Sequence, residues 1–92
     1  MSSLEAIYNF EFTDHALTEM ARRQISEKDV KAVLANPEQT EMAREGRAVY
    51  QSRFEMGEPP KTFLLRVFVD IDPRLPYVVT VYRTSKIEKY WR

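Results

Sequence analysis

The chain reads as a single α+β domain in which two N-terminal helices lie on one face of an antiparallel sheet of about four strands. Three observations predict this. Apolar residues between Leu17 and Leu34 recur at helical spacing. From Thr40 onward the pattern changes to alternation and short apolar runs. Glycine and proline then punctuate the second half where hairpin turns would fall. With 92 residues there is room for one domain, residues 1–92, and a core of moderate size.

The elements follow in order. Tyr8, Phe10 and Phe12 alternate with Asn9 and Glu11, the period-2 pattern of a short strand. Thr13 offers an N-cap oxygen to the helix that follows. On a wheel of that helix Leu17, Met20 and Ala21 gather on one side, expected to be buried. His15, Glu19 and Arg22 gather on the other, with Arg23 on its flank. Ser26 and Asp29 have capping-box spacing for a second helix, whose buried stripe is Val30, Val33 and Leu34 and which Asn36-Pro37 ends. A hairpin is expected through Arg44-Glu45-Gly46 into the strand Arg47–Phe54. A loop with Gly57 and Pro59-Pro60 leads to Thr62–Asp70, apolar on both faces except for Arg66 and therefore central. Asp72–Pro76 turns into Tyr77–Tyr82, antiparallel to it, and residues 84–92 form a polar tail with an aromatic end.

Composition removes several chemistries. Without cysteine there is no disulfide, thiolate metal site or cysteine nucleophile, which fits a reducing compartment. The two glycines form no phosphate-cradling loop, the serines have no nucleophile-elbow context, and one histidine with scattered carboxylates has no metal-ligand spacing. No cofactor or metal is expected. The longest apolar runs are too short to span a bilayer and no charged-then-apolar leader is visible, so the expectation is a cytoplasmic protein that makes no use of a membrane. Net charge is zero, but residues 1–60 hold 7 basic and 11 acidic side chains, and residues 61–92 hold 7 basic and 3 acidic. This split suits an acidic ligand near the C-terminal strands.

What remains is acid–base chemistry assisted by arginine. His15 lies at the head of a helix, where the dipole favours the neutral ring that a general base requires while Asp14 and Glu19 push the other way. Its structural alternative is a solvated or core-edge ring that hydrogen-bonds a neighbour. Arg66, a charge within an apolar strand, needs a carboxylate, a groove or a ligand anion; the alternative to a ligand is an ion pair with a helix carboxylate. Arg83, Thr84, Ser85 and Lys86 lie where the last strand leaves the sheet. Tyr82, Tyr90 and Trp91 interleave with them, a mixture that can stack on bases while the cations take phosphates. The alternative is a tail of solubilising charge with Trp91 folded back on the core.

The residues His15-Ala16, Met20, Arg23, Ile25-Ser26, Asp29-Val30, Asn36-Pro37 and Val79-Thr80-Val81-Tyr82-Arg83-Thr84-Ser85 resemble a small bacterial domain family of unknown function, itself similar to the RelE and BrnT toxins. The resemblance runs from Phe12 to Trp91. It implies a curved RelE-like sheet and a metal-independent endoribonuclease that acts as the toxin of a toxin–antitoxin pair. RNA and an antitoxin protein would be its partners, and a homodimer is a further expectation. The catalytic residues would then be His15, Arg23, Arg83 and Thr84, with Arg66, Tyr82, Ser85, Lys86 and Tyr90 binding substrate. Two positions depart from the pattern: Glu19 stands where relatives commonly carry arginine, and Gln24 where they commonly carry glycine. The competing expectation is a non-catalytic protein- or RNA-binding module of the same fold.

Overall fold

Hydroxyl caps begin both long helices where the sequence places them. Helix α1, Asp14–Arg23, starts as Thr13 Oγ1 accepts from the Ala16 amide at 3.1 Å. Helix α2, Glu27–Ala35, starts as Ser26 Oγ accepts from the Asp29 amide at 3.1 Å. The turn between them is a Schellman cap: Gln24 adopts φ 57°, its amide donates to Ala21, and the Ile25 amide donates to Met20 at 2.9 Å. These details come from a computed structural model that describes residues 4–92.

The strands are β1 (Glu11–Phe12), β2 (Gln39–Arg44), β3 (Arg47–Met56), β4 (Lys61–Asp70) and β5 (Tyr77–Thr84), and a one-turn helix α3 (Ile87–Tyr90) follows. They form one sheet in the order β1-β5-β4-β3-β2, so β4 is central, as its apolar run implies. The expected antiparallel sheet of about four strands is instead mixed and five-stranded. β1 adds to β5 in parallel, with Glu11 opposite Tyr77 and Phe12 opposite Val78. It is only two residues long because Thr13 already begins α1, its amide bonded to the Val78 carbonyl at 3.0 Å. In the turn between β2 and β3, Gly46 has φ +80°, a left-handed conformation that favours glycine, and a Cβ there would also push on the Asp72 carboxylate, 2.7 Å away.

Both long helices cover one face of this sheet. Val30, Val33 and Leu34 of α2 pack with Ala48, Tyr50, Leu65, Val67, Val69, Val78 and Val81. Helix α1 lies at the margin, along β5. It therefore buries a narrower strip than the wheel suggests: Ala16 and Met20 are buried, whereas Leu17 is 41% exposed and Ala21 is open to solvent. Among the described residues no helix is long and apolar enough to cross a membrane.

Gln24 holds a left-handed conformation that costs an L side chain about 1 kcal/mol relative to glycine. Gln24→Gly is expected to stabilise the fold by roughly that amount. An unchanged or lowered urea midpoint would show that the Gln24 side chain compensates the strain.

Candidate functional site

In-register pairing sets a row of polar side chains across the sheet face opposite the helices. Gln39 of β2 stands beside Gln51 of β3, Gln51 beside Arg66 of β4, and Arg66 beside Tyr82 of β5. Arg66 is 6% exposed and Gln51 2% exposed. The Arg66 guanidinium donates from Nε to Gln51 Oε1 at 2.9 Å, from Nη1 to the Tyr82 hydroxyl at 2.6 Å, and from Nη2 to Glu41 Oε2 at 3.3 Å. Each of its three nitrogens donates to a partner, which is how a buried guanidinium offsets part of its lost water.

The tail roofs this row. Tyr90, on α3, stacks over Arg66 with the guanidinium carbon 4.1 Å from the ring centroid. Gln51 Nε2 donates to the Tyr90 carbonyl at 3.2 Å and to Gln39 Oε1 at 2.9 Å, and Gln39 Nε2 donates to the Arg92 carbonyl at 2.8 Å. Arg92 closes the circuit by pairing with Glu41, which is thus shared by two guanidiniums. Trp91 lies 4.1 Å from the guanidinium of Arg53, itself held by Glu38. Trp91 therefore folds back, but onto the polar face and not the main core. Of the alternatives open to Arg66, the ion pair is the one formed, with Glu41 on strand β2 and not with a helix carboxylate.

The two phenols here have unlike proton affinities. Burial pushes the Tyr82 hydroxyl up, with Tyr90 adding to the rise while Arg66 opposes it. Tyr90 is held below the ordinary phenol range by the Tyr82 hydroxyl, with further help from Lys89 and Arg66. A pair of titratable groups pushed apart beside a cation is a recognised arrangement for acid–base work.

The other residues singled out in the sequence do not converge on this row. Thr84 shares its face, opposite Leu64, and accepts from the Lys86 amide at 3.1 Å; Ser85 and Lys86 are exposed at its rim. Arg83 points to the helix side, because side chains alternate along a strand. It donates from Nη2 to the Arg23 carbonyl at 2.7 Å, completing the C-terminal cap of α1. Arg23 itself pairs with Glu19 at 3.0 Å, as Arg22 does at 2.6 Å. His15 is exposed at the other end of α1, eight residues or about 12 Å of helix rise from Arg23. The structure thus gathers Arg66, Tyr82 and Tyr90, with Thr84, Ser85 and Lys86 nearby. It leaves His15, Arg23 and Arg83 on the other side of the sheet.

The family model described as "Domain of unknown function (DUF4258)" matches residues 12–83. The chain belongs to this family. No curated protein and no solved structure matches it. The DUF4258 segment contains Glu41, Gln51, Arg66 and Tyr82, and it ends at Arg83, before Tyr90 and Arg92.

Sequence reading missed Glu41, Gln51 and Gln39, which matter through cross-strand register and carry no local signal. Arg66 is expected to dominate the stability of this face. Arg66→Ala leaves Gln51 and Tyr82 with fewer partners and should cost about 3 kcal/mol in urea denaturation. Arg66→Lys should recover less than half, since an ammonium cannot serve the three acceptors as a planar fork does. Full recovery by lysine would reduce the network to simple charge.

Proposed function

We propose that this DUF4258 domain is a metal-independent endoribonuclease, the toxin of a bacterial toxin–antitoxin pair, with its reactive centre at Arg66, Tyr82 and Tyr90. The observation that carries the reading is the contact of two phenols, Tyr82 and Tyr90, with one guanidinium on one sheet face. The reaction class, and RNA and an antitoxin as partners, rest on the resemblance of the family pattern between Phe12 and Trp91 to the RelE and BrnT toxins, which is part of this proposal.

Cleavage would proceed within the RNA. The Tyr90 phenolate takes the proton of a ribose 2′-hydroxyl, and the 2′-oxygen bonds to the adjacent phosphorus as the bond to the 5′-oxygen breaks. Tyr82 gives its proton to that departing oxygen, leaving a 2′,3′-cyclic phosphate and a 5′-hydroxyl. Arg66 faces the charge that builds on the phosphoryl oxygens. The proton gained by Tyr90 and that lost by Tyr82 are then equalised between neighbouring hydroxyls. Thr84, Ser85 and Lys86, at the rim, would hold the flanking strand.

A second reading has its own observation: three of the five N–H donors of Arg66 are taken by partners within the chain, as in a non-catalytic protein- or RNA-binding module of this fold.

The purified chain with mixed-sequence RNA in excess chelator is expected to yield cyclic-phosphate ends. Tyr90→Phe should lower the rate about 100-fold, with RNA affinity nearly kept and His15→Ala cutting normally. Because the unprotonated phenol is the active form, the rate should climb with pH as Tyr90 loses its proton, below the ordinary tyrosine value of about 10. Binding without cutting would select the module reading, and full activity in Tyr90→Phe would remove the phenol from the mechanism.

A further inference from the structure

Glu41 is placed unlike any other carboxylate among the described residues, since one side chain pairs with both a buried and an exposed arginine. Its Oε2 meets Arg66 Nη2 through a single 3.3 Å contact, and its Oε1 meets the Arg92 guanidinium. The Arg66 side chain is 8% exposed, Glu41 26% and Arg92 73%. Two guanidiniums thus share one side-chain carboxylate.

Arg66 Nε and Nη1 are directed to neutral acceptors, Gln51 and Tyr82, and its flat face is covered by Tyr90. Only the Nη2 direction takes an anion, and there the contact is neither bidentate nor short. Guanidiniums bind carboxylate and phosphate oxygens with the same geometry. Glu41 sits on the edge strand of the sheet, from which its side chain can turn into water at little expense to the core.

We propose that the space between Arg66 and Arg92 is a phosphodiester site and that Glu41 is its built-in occupant. A phosphodiester oxygen pair bridges the two guanidiniums when Glu41 swings out, and the carboxylate otherwise holds the tail, through Arg92, over Arg66. The site thereby names where the RNA backbone would sit, and in that respect it rests on the ribonuclease reading. It also makes the closed arrangement self-limiting, because substrate must displace Glu41 before it reaches Arg66. No covalent step is involved, only the exchange of one anion for another.

The test uses the whole chain with two probes, dimethyl phosphate followed by arginine side-chain NMR and a labelled mixed-sequence single-stranded RNA followed by fluorescence anisotropy. Glu41→Gln is expected to bind both about tenfold more tightly than the wild type, the worth of one charge-assisted contact. A gain for dimethyl phosphate alone would uphold the site and sink the ribonuclease reading. No gain for either probe, in a variant whose circular dichroism matches the wild type, would overturn the inference, and cleavage by the wild type would then judge the ribonuclease reading separately. Arg92→Ala, at an exposed position, guards against misfolding of the first variant. It should bind dimethyl phosphate several-fold more weakly than the wild type, and unaltered binding would also overturn the site.

Discussion

A guanidinium in the middle of the central strand is the constraint on which the second face of this sheet depends. Desolvating Arg66 costs several kcal/mol unless its donors are met. They are met from both neighbouring strands and from the edge, by Gln51, Tyr82 and Glu41. Each acceptor is available only in this register. A slip of one residue would turn Arg66 into the layer of Leu65, Val67 and Val81 beneath the helices and set an apolar side chain under the tail. Arg66 thus specifies the pairing of four strands and seats the chain end as well.

The sheet consequently separates two kinds of packing. On the helix side, contact is apolar and is held by area, with Val30, Val33 and Leu34 of α2 over β3 and β4 and with α1 over β5. On the far side, contact is polar and aromatic and is held by direction. Arg83 and Tyr82, adjacent in sequence, illustrate the division. Arg83 completes a helix terminus, whereas Tyr82 completes the guanidinium network. A reaction centre that needed both side chains would have to reach through the sheet.

Local signals made most of the fold legible. The caps at Thr13 and Ser26, the stripe of α2, the hairpin at Glu45-Gly46 and the central place of β4 all follow from spacing within a few residues. The parallel pairing of β1 was not legible, because it joins residues more than sixty positions apart. Leu17 was misplaced since a wheel assumes a helix buried along a full stripe, while α1 meets only the sheet margin. At the candidate site the sequence expectation groups Tyr82, Arg83 and Thr84 together, although strand alternation puts Arg83 on the face opposite the other two. The acceptors Gln51 and Glu41 depend on register, which sequence periodicity leaves open.

The tail is the part of this structure that can open without loosening the core. Helix α3 has a single turn and buries none of its own residues, yet it covers Gln51 and Arg66 through stacked rings and carbonyls taken up by glutamine amides. Such contacts are worth about 0.5–2 kcal/mol each and can be exchanged for equivalent ones from a ligand, whereas buried valines cannot. Hydrogen-bond acceptors and an anion are the features the face draws from its own chain, through the tail carbonyls and Glu41. Single-stranded RNA carries both. With a net charge of zero the protein exerts little long-range pull on a polyanion, so any RNA affinity would come from these few desolvated contacts.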